Sequence, residues 1–242
     1  MNAEVFEMQM RAIIASLKPY FRFVFADAPF LCDAGPGIGP VYEKHGPFRR
    51  WFRWQADQPE IDESSAVAEI KYSLDTATER DRGSGPFVAV LGFSQGAKLA
   101  ASLLFEQQMR AAKPLESAPL QPDFRFGVLL AGRAPLVSLS ELSAGLELAS
   151  PSDIPGDKKY KALDEDLRLK IPTIHVHGLK DPGLELHRRL LKDYCDPASV
   201  SLVEWDGEHR VPVQTTDVVA VTSQIMSMAK LTGVMMKGMG PT

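Results

Sequence analysis

The chain has 242 residues, 45% hydrophobic and 24% charged, proportions that exclude a disordered or fibrous protein and allow a sizeable core. Its 27 basic residues against 31 acidic ones leave a formal net charge of −4, which argues against a protein that coats nucleic acid. Cys32 and Cys195 are too few for a disulfide framework and have no metal-ligand spacing, so both are expected to be buried small apolar residues.

The first apolar residues, Val5, Phe6, Met10, Ile13, Ile14 and Leu17, recur every three or four positions, the period of an amphipathic helix, and Lys18-Pro19 stops it. Residues 21–26, FRFVFA, read as a buried strand ended by Asp27-Ala28-Pro29. From 30 to 58 there is neither a helical nor a strand period, but many Gly, Pro and aromatic residues; long irregular stretches of this kind are usually functional. Helix returns over 61–79, with Val67, Ile70 and Leu74 in phase, before the turn-rich Arg82-Gly83-Ser84-Gly85-Pro86. Strands are then expected at 87–91, 124–130, 171–176 and 200–205, and helices at 95–109, 187–194 and 214–231. The polar stretch 138–170 reads as a surface insertion, and the tail after Leu231, with Gly233, Gly238 and Gly240, as frayed.

Strands that alternate with helices predict an α/β protein with a mostly parallel central sheet and helices on both faces. No repeat or linker divides the chain, so one domain over 1–242 is expected. No run reaches the roughly 20 apolar residues of a membrane helix. The acidic start Met1-Asn2-Ala3-Glu4 is not a secretory signal, and Gly-Pro-Thr at the end is neither a prenylation box nor a peroxisomal signal. A soluble, cytoplasmic protein with no membrane and no nucleic-acid partner follows as the expectation.

Gly92-Phe93-Ser94-Gln95-Gly96 fits G-x-S-x-G, a short pattern that gains weight from its setting. An expected strand runs into it and an expected helix leaves it, the arrangement that holds a serine in a strained turn above a sheet. The helix start also places the Gln95 N–H beside Ser94, where an oxyanion would develop. A base and an acid should follow in the order Ser, Asp or Glu, His. Asp181 comes directly after the expected strand at 171–176, and His209 directly after that at 200–205, so both leave the sheet edge that carries Ser94. Ser94 is thus the candidate nucleophile, His209 the base and Asp181 the group that orients it. Asp206 and Glu208 are alternative acids, disfavoured because they adjoin His209 in sequence.

His175 and His177 point to one face of a strand, as a metal pair would, yet no third ligand has a useful spacing; packed or hydrogen-bonded imidazoles are expected, with no metal and no cofactor. His45 and His187 read as surface residues. The Gly35-Pro36-Gly37-Ile38-Gly39 stretch reads as a loop, because no strand leads directly into it and no helix follows. In Phe48-Arg49-Arg50-Trp51-Phe52-Arg53-Trp54, aromatics and arginines alternate. Base stacking, core packing with solvated arginines, and a wall of an acyl pocket are the three readings; Trp51 and Phe52, with Phe93, are candidate substrate-binding residues on the last.

Together, Gly92 to Gly96, Asp181, His209, Asp27-Ala28-Pro29, Ala34-Gly35-Pro36-Gly37-Ile38 and Gly46-Pro47-Phe48-Arg49-Arg50-Trp51-Phe52 resemble the FSH serine hydrolases, small α/β-hydrolases common in fungi. The resemblance spans nearly the whole chain. It implies an α/β-hydrolase fold and, from members such as the thioesterase of lovastatin biosynthesis, release of a polyketide-like acyl chain from a carrier-protein thioester in secondary metabolism. Water or a hydroxyl of the chain would resolve the acyl-enzyme, the latter giving a lactone. It also implies a possible partner, the acyl carrier domain of a polyketide synthase, with Arg49, Arg50 and Arg53 expected to receive an acidic surface or a phosphopantetheine phosphate. The alternatives are a carboxylesterase of free small esters and a non-catalytic acyl-binding protein. Members of the family begin with a further strand and a His-Gly loop that gives the second oxyanion N–H, both lacking here before residue 2. The resemblance then implies either a truncated form of a longer chain or a substitute donor that works with Gln95, and sheet edges exposed beside the gap.

Overall fold

The computed structural model describes residues 1–35, 38–112 and 122–235. Pro36 and Gly37 of the Gly-Pro-Gly stretch, and Gly238 and Gly240 of the tail, lie outside the described residues. The chain forms two compact units: residues 1–84 with 150–159, and residues 85–149 with 160–242.

In the first unit, helix α1 (Ala3–Leu17) starts where the Asn2 side chain accepts a hydrogen bond from Val5 N–H. It buries Val5, Met10, Ile13 and Leu17, the residues whose spacing predicts it. The stretch 21–26 forms no strand, contrary to the sequence-based expectation. A strand exists only through its ladder partners, and these residues have none among the described ones; their phenylalanines pack on other rings instead, Phe25 edge-on to Phe6 at 5.7 Å and stacked with Phe23 at 6.4 Å.

The region expected to be wholly irregular instead holds two short strands. β1 (Phe30–Cys32) pairs antiparallel with β2 (Phe48–Arg50), and between them lie helix α2 (Gly39–Tyr42) and a single 3₁₀ turn. Val5, Ile38 and Phe48 form a small core there, with Cys32 half-buried at its margin rather than fully enclosed. Helix α3 (Glu63–Arg80) is capped by Asp62, whose carboxylate accepts from Ser65 N–H, and it buries Ala66 and Ile70.

The arginines of this unit hold its own loops. Arg49 donates to the carbonyls of Ala28 and Pro29. Arg50 is buried over the Phe30 ring, and Arg53 donates to the carbonyls of Ala56 and Gln58 and to Glu60. These guanidinium groups therefore have internal structural work, which the expectation of solvated or partner-receiving arginines did not include.

The second unit holds a four-stranded, all-parallel sheet in the order β3 (Ala89–Phe93), β4 (Phe126–Leu130), β5 (Thr173–Gly178), β6 (Val200–Trp205). Every residue of β4 and β5 is buried, so both faces of the sheet centre are covered, as crossover helices require. Helix α4 (Gln95–Ala112) packs on β3 and β4; α5 (Leu184–Arg189) packs on β5; and α6 (Thr215–Leu231) packs on β4, β5 and β6. The edge strand β6 leaves Leu202 and Glu204 exposed, and among the described residues the sheet ends at β3 on the other side.

The main core joins Ala97, Ala101, Leu104 and Phe105 of α4 to Leu129, Leu136, Leu163, Leu169 and Tyr194. Leu163 and Leu169 come from the polar stretch expected to be a surface insertion, so that segment contributes core anchors between its exposed turns. No helix among the described residues is long and apolar enough to cross a membrane.

Candidate active site

The parallel ladder brings the C-terminal ends of β3, β5 and β6 to one edge of the sheet, and the three candidate side chains leave from there. Strand β3 runs directly into Ser94, and α4 begins at the next residue. Ser94 has φ of +55°, a left-handed conformation that a residue with a side chain occupies at a cost of about 1–3 kcal/mol. Its own N–H is bound to the Leu130 carbonyl at 2.9 Å, and its carbonyl accepts from the N–H groups of Ala97 and Lys98. Gly92 makes this turn possible, since a Cβ there would sit 2.1 Å from the carbonyl oxygen of Gly96.

The turns after β5 and β6 are fastened to each other. Leu179 N–H donates to the Trp205 carbonyl and Lys180 N–H to that of Gly207, while a Cβ on Gly178 would meet the Gly207 oxygen at 2.5 Å. This close approach brings Asp181 and His209 together. His209 Nδ1 is 2.6 Å from Asp181 Oδ2, and its Nε2 is 3.0 Å from Ser94 Oγ. The Phe93 ring lies beside the imidazole, 4.9 Å between centroids.

Asp181 has a fully buried side chain. Burial raises its proton affinity, but the hydrogen bonds from Gly183 N–H and from His209, with the nearness of the His209 and His187 imidazoles, outweigh that effect and hold its carboxyl below the usual value. An ionised Asp181 only accepts, so Nδ1 of His209 carries the ring proton and donates. Nε2 is then the acceptor that faces the serine hydroxyl. An imidazole held this way can take a proton from the hydroxyl while the carboxylate steadies the resulting cation. Of the alternative acids, Asp206 pairs with Lys180 at 2.8 Å and Glu208 is exposed.

Ser94, Asp181, His209 and Phe93 are thus brought together, and Gln95 opens α4 beside them. Trp51 and Phe52 belong to the first unit, just after β2; Phe52 is buried and Trp51 half-buried. His175 and His177 are fully buried on β5, and burial pushes them down to about 3 and about 4. His175 Nε2 meets the Thr173 hydroxyl at 3.2 Å, and the two histidine rings are 5.8 Å apart. Cys195 is buried as expected, its thiol pushed up to about 12 by that burial.

His187 corrects the sequence reading. It is completely buried rather than a surface residue, with Nε2 3.7 Å from Asp181 Oδ2, and burial pushes it down to about 4. The charged neighbours Glu185, Arg188 and Arg189 disguise it. The signal that would have found it is the spacing of His187, Leu190 and Tyr194, all buried on one side of successive turns. Arg133 was also missed; its Nη2 lies 3.9 Å from Asp181 Oδ1.

The profile described as Serine hydrolase (FSH1) matches residues 1–221. The chain belongs to that family. The chain is 51% identical over 240 residues to "Probable esterase tazC" of Aspergillus terreus, covering 96% of this chain and 90% of that one. It is 49% identical over 236 residues to "Esterase citA" of Monascus ruber, covering 96% and 89%. Among solved structures it resembles the carboxylesterase from Mesorhizobium loti, with a TM-score of 0.50, 17% identity, and coverage of 93% and 83%. That likeness bears on the fold alone, an α/β-hydrolase.

Proposed function

We propose that this serine hydrolase cleaves carboxylic esters or thioesters of acyl chains through an acyl-Ser94 intermediate, with His209 as general base and acid and Asp181 as its orienting carboxylate. The observation that carries the reading is the single imidazole bonded at once to Ser94 Oγ and to a buried carboxylate. Ser94 Oγ attacks the acyl carbon as its proton passes to His209 Nε2, and the same proton then goes to the departing alcohol or thiol. Water repeats the sequence on the acyl-enzyme, releasing the acid and restoring Ser94. The Gln95 N–H, at the start of α4 next to Ser94, is assigned to the oxyanion by its position and by the helix dipole behind it.

The names of the relatives, esterases, support an oxygen ester as substrate. Release of a polyketide-like acyl chain from a carrier-protein thioester, by water or by a hydroxyl that closes a lactone, is the finer proposal. It is tested with one acyl group presented three ways: as a small oxygen ester, as a small thioester, and on a carrier domain. Turnover of all three with the highest kcat/KM on the carrier supports carrier release. Equal kcat/KM on both thioesters contradicts it and leaves a free-ester carboxylesterase. No turnover of any of them, in folded protein, contradicts the hydrolase reading.

Trp51 and Phe52 are proposed to contribute to acyl binding, as the sequence suggests. Trp51→Ala should then raise KM for long acyl esters more than for acetyl esters, and equal effects on both would remove the assignment.

A further inference from the structure

His187 has no task in the chemistry above. It is fully buried, and neither of its ring nitrogens has a hydrogen-bond partner among the described residues, an arrangement that costs free energy for each unsatisfied group. Its Nε2 approaches the same Asp181 oxygen that His209 Nδ1 binds, at 3.7 Å against 2.6 Å. One ring nitrogen of each histidine and a carboxylate oxygen of Asp181 lie within 4.8 Å of one another.

Two imidazole nitrogens and one carboxylate oxygen, with a fourth position left to water, are a ligand set suited to Zn²⁺. Bonds of about 2.0–2.1 Å place tetrahedral ligand atoms roughly 3.3 Å apart. The His187–Asp181 separation is already close to that, and the shorter His209–Asp181 one has to open by less than about 1 Å to reach it. The opposing charge is Arg133, which faces the other carboxylate oxygen at 3.9 Å and whose side chain is 41% exposed, so water screens it.

We propose that Asp181, His187 and His209 form a Zn²⁺ site that competes with the bond between Ser94 and His209, so that zinc inhibits this hydrolase. The inhibitory consequence rests on the reading of His209 as the base; the site itself does not. Zn²⁺ exchanges hydration water for the Nδ1 lone pair of His209, Nε2 of His187 and a carboxylate oxygen of Asp181. The ring proton of His209 moves from Nδ1 to Nε2, so no proton is gained or lost. The nitrogen that faces Ser94 becomes a donor and no longer accepts the serine proton. Mg²⁺ and Ca²⁺, which favour oxygen ligands, are not expected to substitute, whereas Cu²⁺ is.

The test titrates full-length Ser94→Ala protein with ZnCl₂ against a chromogenic chelator, because Ser94 is not a ligand and this readout does not depend on turnover. The expected result is one Zn²⁺ per chain. Adding His187→Gln should weaken binding by about 100-fold or more, since outer-shell changes alone typically cost 10–100-fold. Circular dichroism verifies that this double variant is folded; should it not be, His187→Asn replaces it, and Co²⁺ in the Ser94→Ala protein should show the intense visible bands of a tetrahedral nitrogen–oxygen site. No binding, equal affinity with and without His187, or octahedral Co²⁺ bands would overturn the site. In the wild-type chain, zinc inhibition reversed by EDTA and not produced by Mg²⁺ supports the competition. His187-dependent binding in an enzyme that zinc leaves fully active overturns the competition while preserving the site. Binding in a chain that hydrolyses no ester upholds the site and counts against the hydrolase reading alone.

Discussion

Two groups of histidines stand within the second unit, and the fold treats them in opposite ways. His209 sits on the turn after β6 with an 18% exposed side chain and a bond at each ring nitrogen, one to a hydroxyl and one to a carboxylate. His175, His177 and His187 lie wholly inside on β5 and α5, and most of their nitrogens have no partner among the described residues. Burial, the largest cause, drives these three down to about 3, about 4 and about 4, so they stay neutral at neutral pH. An imidazole becomes a base through what stabilises its cation, and of these four histidines only His209 combines water access with a directly bonded carboxylate.

The largest separation between the two groups should appear in catalysis. Ser94→Ala and His209→Ala should each lower kcat/KM for an activated ester by about 10⁴–10⁶, whereas His175→Leu should leave more than a tenth of it. Steady-state kinetics on purified protein measures this, and a comparable loss for His175→Leu would dissolve the distinction. Asp181→Asn should cost about 10⁴, because an amide at this position permits the wrong imidazole tautomer.

Gly92→Ala sharpens the same comparison at the level of the backbone. Its Cβ meets the Gly96 oxygen at 2.1 Å, so urea unfolding should show a loss of about 2–4 kcal/mol, and the turn that presents Ser94 should shift. The smallest effect concerns the interior group. The folded-state pKa of His175, about 3, lies below its ordinary value of 6.5, so the unfolded chain takes up the proton first as the pH falls. The stability it contributes is complete above about pH 6.5 and is lost on acidification, by about 2 kcal/mol between pH 6.5 and 5. Denaturation midpoints across that range should decline less steeply in His175→Leu.

The sequence carries the site more openly than it carries the first unit. Ser94, Asp181 and His209 each follow an apolar strand directly, and a parallel sheet necessarily gathers such turns at one edge, so local pattern and topology agree. The FRFVFA run is as apolar as those strands and still forms none, because strand formation depends on partners remote in sequence, while ring packing on Phe6 is available nearby. The pairing of β1 with β2 is hidden for the opposite reason. Each strand is only three residues long, and the arginines in β2 obscure the period, although Arg50 is buried over Phe30. His187 escapes detection because its buried spacing runs through a helix only six residues long, edged with charge.

The most direct measurement is intact-mass and peptide-mass analysis of the wild-type chain after treatment with a fluorophosphonate, alongside His209→Ala and His175→Leu. A single adduct is expected, located on Ser94, formed at similar rates in wild type and His175→Leu and lost or greatly slowed in His209→Ala. An adduct on another residue, or undiminished labelling of Ser94 without His209, would contradict the claim that His209 activates this serine.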